Sequence, residues 1–200
     1  YDRLKARGAW FGNKMGWERP NWFAGIGKSP DMQYGWGRGA WFDAVAAEHR
    51  ATREGVTVVD ETSFGKFLMQ GRDAEKVLQH LSANDIAVPM GRTVYTGLLN
   101  SRGTFESDLT IARLGRDKFM IVTGSAQPTR DADWIGRYMP EGAHVTLTDV
   151  TAAWTVLSVM GPLSRSLLRS VSRADFSNEA FPFATIREIG SIPANYKVLF

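Results

Sequence analysis

The chain contains no cysteine, which excludes a disulfide scaffold, a Cys-ligated zinc site and a thiol nucleophile, and fits a reducing compartment. Histidine is scarce. His49, His80 and His144 are scattered without HExxH or comparable spacing, so no metal site is expected. No GxGxxG opens a βα turn, the Gly25, Gly27 and Lys28 of "GIGKSP" precede no amphipathic helix, and "GSA" at 124–126 is not GxSxG. Long apolar runs are missing too: none approaches the roughly 20 residues of a membrane span, and "YDRLKARGAW" lacks the apolar core of a signal peptide. No membrane partner is therefore expected. A net charge of only +3 suits anionic small molecules and gives no argument for nucleic acid.

What is present is an ordinary globular composition over 200 residues, enough for one domain with a buried core. The chain opens in polar sequence without an initiator Met and stops within the apolar run "NYKVLF", so a piece of a longer polypeptide is expected. Residues 1–42 form one block, holding five of the seven tryptophans (Trp10, Trp17, Trp22, Trp36, Trp41) and many glycines. The block shows no sustained period and reads as an irregular segment laid over a neighbouring domain, its rings serving as anchors or as a ligand platform.

From residue 43 the pattern is regular. "DAVAAEHRATREG" predicts a helix capped by Asp43 and ended by Gly55. "VTVVDE" is a short strand. Phe67 and Met69 alternate with Lys66, Leu68 and Gln70 in a second strand, and Asp73 is placed to cap the helix "AEKVLQHL". "TVYTGLLN" and "TFESDLTIARL" form a hairpin about the turn "SRG", and "KFMIVTG" is the next strand. There follow a helix "DADWIGRYM", strands "HVTLTDVT" and "AWTVLSVMG", a helix "PLSRSLLRSV" with Pro162 in its first turn, and strands "FATIREI" and "NYKVLF". Helices interleave with hairpins, which indicates α+β with mixed or antiparallel sheets and packed helices rather than a βαβ array.

The carboxylates of "NSRGTFESDL" are out of place, since acidic residues are poor strand formers. Alternation turns Phe105, Leu109 and Ile111 one way, toward a core, and Glu106, Asp108 and Thr110 the other. That second face is either a solvated sheet surface or a site where two carboxylates, about 6–7 Å apart at i and i+2, shift each other's proton affinity. The pattern leaves both readings open.

The runs "VYTGLLNSRGTFESDLTIARL" and "DKFMIVTGSAQ" resemble the tetrahydrofolate-binding aminomethyltransferase domain of the glycine cleavage T-protein. The blocks "FGNKMGWERPNWFA", "GAWFDAVAAEHRATREGV", "DETSFGKFLMQGRDAEKVLQHLSAND" and "DVTAAWTVLSVMGPLSRSLL" resemble its branch in flavin-dependent dimethylglycine and sarcosine dehydrogenases, over nearly the whole chain. The resemblance implies a Trp/Gly-rich segment at 1–42 packing on an upstream FAD domain of the same polypeptide. It implies the N-terminal part of a T-protein-like folate-binding domain at 43–200, its folate-binding Glu segment falling after Phe200. Asp108 is implied as the catalytic carboxylate, with Ser107 where the T-protein has a second Asp. Tyr95 is implied to flank the folate, Thr110 to share the face of Asp108, and Thr123, Gly124 and Ser125 to meet the pterin through backbone groups, Gly124 standing where the T-protein has Asn. Glu106 is left a supporting or solvated role. The implied function is trapping the one-carbon unit of an oxidised N-methyl amine as 5,10-methylenetetrahydrofolate, in a bacterial cytoplasm or the mitochondrial matrix. The same resemblance leaves room for a non-catalytic regulatory homologue, or for a folate-dependent demethylase of another methyl donor. Without the segment after residue 200 the piece alone is expected to be inactive and to bind folate weakly or not at all.

Overall fold

The computed structural model describes residues 1–31, 34–190 and 197–199, the last three and Gly190 as backbone only. In chain order the elements are α1 (Asp2–Lys5), β1 (Ala9–Lys14), β2 (Trp17–Phe23), α2 (Phe42–Glu54), β3 (Thr57–Asp60), β4 (Gly65–Gln70), α3 (Ala74–Leu81), β5 (Thr93–Leu99), β6 (Phe105–Gly115), β7 (Lys118–Thr123), α4 (Pro128–Tyr138), β8 (Thr146–Asp149), β9 (Leu157–Met160), α5 (Ser164–Val171), β10 (Glu188–Gly190) and β11 (Lys197–Leu199), with a 3₁₀ turn at Thr151–Ala153. The expected α+β class is correct. The chain divides into two compact units, Tyr1–Val59 with Ser158–Leu167, and Asp60–Leu157 with Leu168–Phe200. The boundary expected at residue 42 thus falls inside the first unit.

In the first unit the supposedly irregular Trp-rich block contains an antiparallel hairpin, β1–β2, closed by the two-residue turn Met15–Gly16. Both turn residues have positive φ, 51° and 86°, and Asn13 Oδ1 accepts the Gly16 N–H at 3.1 Å. Two left-handed residues match the twist of a tight hairpin. The alternation is hidden in the sequence because the register shifts between Trp10 and Phe11, opposite Pro20, which has no N–H to give. Of the five rings only Trp22 is buried. Helix α2 begins one residue early, with Trp41 at the cap position. Asp43 lies in the first turn, where it makes no capping bond but suits the positive end of the helix dipole.

The second unit is built on an antiparallel sheet in the order β5-β6-β7-β4-β8. One face carries the core: Phe67, Met69, Leu98, Leu109, Ile111, Phe119 and Ile121, covered by α3 and α4. Helix α3 buries Ala74, Val77, Leu78 and Leu81, the i, i+3, i+4, i+7 stripe of an amphipathic helix. Asp73 occupies its cap position, but its carboxylate accepts the His144 N–H at 2.7 Å instead of capping. Helix α4 starts at Pro128, three residues before the expected "DADWIGRYM", because proline fits the first helical position. Helix α5 starts after Pro162 rather than with it.

One expectation fails in the separate two-stranded sheet β10–β11. "FATIREI" is strand only at Glu188–Gly190, because Ala184 sits at φ 57° and breaks the extension; Thr185 makes one bridge to Arg92. Of the strand expected over 195–200, residues 197–199 are strand and the others lie outside the described residues. Lys66, which alternates with the core residues Phe67 and Met69, is itself completely buried. Residues 150–156 fold over it: Val150 N–H donates to Lys66 O at 2.9 Å, Lys66 N–H donates to Thr151 Oγ1 at 3.0 Å, and Nζ donates to the carbonyls of Thr62 (2.7 Å) and Trp154 (3.0 Å).

Candidate functional site

The turn between β5 and β6 is organised by Asn100. Its Oδ1 accepts the N–H groups of Arg102 (2.9 Å) and Thr104 (3.3 Å), an Asx-type turn. Gly103 completes it at φ 75°. Asn100 Nδ2 then reaches forward to Thr104 Oγ1 at 2.7 Å and Glu106 Oε1 at 2.8 Å.

Just past the turn the pairing slips. Leu98 faces Ser107, but Leu99 faces Phe105, so Glu106 is an extra residue in β6. Such a bulge turns the side chains on its turn side out of the simple alternation. Phe105, expected in the core, is therefore 69% exposed, and its ring lies where a side chain on Gly97 would begin. Glu106, expected in a supporting or solvated role, bridges to Arg130 of α4 at 2.6 Å. The Asn100 amide and the Arg130 guanidinium hold its carboxyl below the usual glutamate range.

Asp108 stands exposed on the face opposite the core. Tyr95 of β5, directly across from Thr110, reaches diagonally to it, the phenol donating to Asp108 Oδ2 at 2.7 Å. The residue across from Asp108 on β5 is Gly97. On the other side Leu109 pairs with Thr123, the last residue of β7, and Gly124 follows it in the chain. The carboxylate thus stands across from a residue without a side chain, over which the Phe105 ring lies, with exposed Tyr95 and Leu99 nearby. A carboxylate amid aromatic surface suits a flat polar ligand, whose edge meets the charge and whose faces meet the rings.

The expected residues divide into two groups. Tyr95, Asp108 and Thr110 share the open face, Thr110 half-buried. Thr123 and Ser125 turn their side chains inward: Thr123 Oγ1 donates to Asp131 Oδ2 at 2.5 Å, and Ser125 Oγ shares a 2.7 Å bond with Ser63 Oγ. Only backbone is left outward there, at Gly124. A cavity of about 220 Å³ in the same unit, lined by Leu68, Met120, Trp154, Ile186 and Arg187 among others, contains none of the expected residues, so the open face is the candidate site. Phe105 and Gly97 were not legible as site residues, since nothing in the sequence signals the bulge. Among the described residues no group of three His, Asp or Glu is placed to hold a metal ion.

The Tyr95–Asp108 bond has a direct signature. Donation to Asp108 raises the phenol above its ordinary 10.0, so the bond's contribution is complete below that value and is lost as pH rises through the elevated one. Asp108→Asn is expected to bring the Tyr95 titration down toward the ordinary value. Tyrosinate absorbance, taken as the difference from a Tyr95→Phe variant, reads this, and an unmoved titration would show that the bond is absent in solution.

A family model, the GCVT N-terminal domain, matches residues 1–198. The 4-methylaminobutanoate oxidase (formaldehyde-forming) of Paenarthrobacter nicotinovorans is 44% identical over 89% of this chain and 22% of its own length. The pyruvate dehydrogenase phosphatase regulatory subunit of Mus musculus is 35% identical over 98% of this chain and 23% of its own. Mouse dimethylglycine dehydrogenase is 33% identical over 96% and 22%. This chain therefore spans less than a quarter of the length of these relatives. Among solved structures, glycine cleavage system aminomethyltransferase T from Bartonella henselae superposes with a TM-score of 0.73, at 22% identity, over 94% of this chain and 46% of that one, which shows the same fold.

Proposed function

Since the chain belongs to the GCVT N-terminal domain family, an aminomethyltransferase-like domain related to dimethylglycine and sarcosine dehydrogenases, we propose that it binds tetrahydrofolate for one-carbon transfer. It does so as part of a longer, flavin-dependent enzyme oxidising an N-methyl amine, in a bacterial cytoplasm or the mitochondrial matrix. The observation that carries the proposal is the exposed Tyr95–Asp108 pair across from Gly97. The donor set fits: a carboxylate acceptor, a phenol, an outward backbone at Gly124 and an exposed Phe105 ring match the polar edge and flat faces of a pterin.

Tetrahydrofolate, when bound, supplies the nitrogen nucleophiles that take up a carbon at the oxidation level of formaldehyde. Asp108 orients a donor N–H, opposes the positive charge that grows on an attacking amine, and accepts its proton. Tyr95 occupies Oδ2, which fixes the carboxylate plane and leaves Oδ1 for the ligand. Thr110 walls the site beside Tyr95, and Thr123–Ser125 contribute their backbone while their hydroxyls hold the strand end from below.

Titrating tetrahydrofolate into the full-length protein tests this; saturable binding is expected, and no binding overturns it. The 35% identity to a phosphatase regulatory subunit favours a second reading, a regulatory domain without the transfer reaction. That reading would be adopted on the negative result.

A further inference from the structure

Two consecutive residues of α4 grip the strand that carries Asp108, immediately ahead of it. Arg130 Nη2 donates to Glu106 Oε2 at 2.6 Å. Asp131, completely buried, accepts the Thr123 hydroxyl on Oδ2 at 2.5 Å, and the Ser107 hydroxyl is among the groups that favour its ionised form. Asp131 Oδ1 and Ser107 Oγ are both buried and make no hydrogen bond among the described residues. Arg130 therefore engages Glu106 on β6, and Asp131 engages Thr123, the β7 residue beside which the register places Leu109.

A buried carboxyl is an expensive way to make a core. Burial raises its proton affinity, and the negative charge of Asp108 adds to the rise, against Thr123, Ser107 and Arg130. An apolar residue would fill the same volume at lower cost, and buried polar groups of this kind fix one arrangement rather than add stability. The arrangement fixed here is the bulged end of β6. Slippage by one residue there would exchange the faces of Ser107 and Asp108.

We infer that the first turn of α4 is the clamp that positions Asp108, with Arg130 acting through Glu106 and Asp131 as a positioning residue acting through Thr123. The inference rests on the folate-transfer reading for its consequence, though not for its geometry. The clamp holds the carboxylate at a fixed height across from Gly97 and keeps it within reach of the Tyr95 phenol.

The test uses the full-length protein with Thr123→Val, which keeps the shape and removes the donor, Thr123→Ser, which restores it, and Arg130→Gln at the exposed arm of the clamp. Each is made with and without Tyr95→Phe. In Thr123→Val the Tyr95 titration is expected to fall toward that of free tyrosine, Thr123→Ser is expected to recover it, and Arg130→Gln is expected to move it less in the same direction. Methylene transfer to tetrahydrofolate should drop roughly tenfold or more in Thr123→Val, mainly in kcat, since misplacement by about 1 Å can cost up to about a hundredfold. A Tyr95 titration unchanged from wild type in Thr123→Val overturns the inference. Should Thr123→Val fail to fold, an unmoved Tyr95 titration in Arg130→Gln does the same. The absorbance readout needs no folate. If wild type binds none, the functional reading fails while the clamp is still decided.

Discussion

Lys66→Ala is expected to destabilise the folded protein by about 3 kcal/mol, the largest single effect outside the apolar core. Three contributions set the sign. The aliphatic stem is fully buried, so its removal leaves a cavity. The carbonyls of Thr62 and Trp154 lose their donor, and each orphaned buried acceptor costs about 1–3 kcal/mol. Against these, the variant no longer buries an ammonium group. Lys66→Met keeps the stem volume and removes the charge, so it isolates the orphaned carbonyls and should lose about 1 kcal/mol. Urea denaturation orders the three proteins as wild type, Met, Ala. An Ala variant within about 0.5 kcal/mol of wild type, the scale of an ordinary surface change, would refute the buried staple.

The pH dependence gives the same residue a second signature. Burial lowers the Lys66 pKa from 10.5, opposed by Asp149 and then Asp60. Below the lowered value both folded and unfolded chains hold the proton and the cost of burying charge is constant. Between it and 10.5 the unfolded chain alone holds the extra proton, so stability rises with pH there. Wild type is expected to gain on Lys66→Met across that alkaline window, and parallel pH profiles would count against a charged, buried Lys66.

Lys66 also shows where sequence reasoning stops. The order of strands and helices from β4 to α5 was legible, because apolar periodicity and turn residues are local signals. The identity of the covering layer was not: residues 150–156 meet Lys66 only through the fold. The same limit explains Phe105. Alternation is a rule about regular strands, and the extra Glu106 breaks the rule at a place no local composition marks. The hairpin at Met15–Gly16 was missed for a related reason, since a shifted register and Pro20 blur its period. Asp108 itself was legible as an anomaly and acquired a role only by resemblance. Its setting across from Gly97 required the pairing register, and the Arg130–Asp131 clamp required knowing which helix lies under β6.

Asp108→Ala is expected to lower methylene transfer to tetrahydrofolate in the full-length protein by about 10²–10³-fold, the scale of removing a positioned acid–base or charge-stabilising group. Asp108→Asn should lose nearly as much, because the amide keeps an acceptor oxygen but neither the charge nor the capacity to take a proton. Tyr95→Phe should cost less, about tenfold, since the carboxylate survives and only its orientation by the 2.7 Å bond is lost. Oxidation of the amine occurs elsewhere in the proposed enzyme and should continue, so the label of an isotopic N-methyl substrate is diverted from methylenetetrahydrofolate to free formaldehyde. A variant lacking only Asp108 exchanges one product for the other, and a urea midpoint unchanged from wild type separates that result from loss of this domain's fold. Unchanged partition in Asp108→Ala would remove Asp108 from the reaction, and the Tyr95 bond would then be a feature of the sheet surface alone.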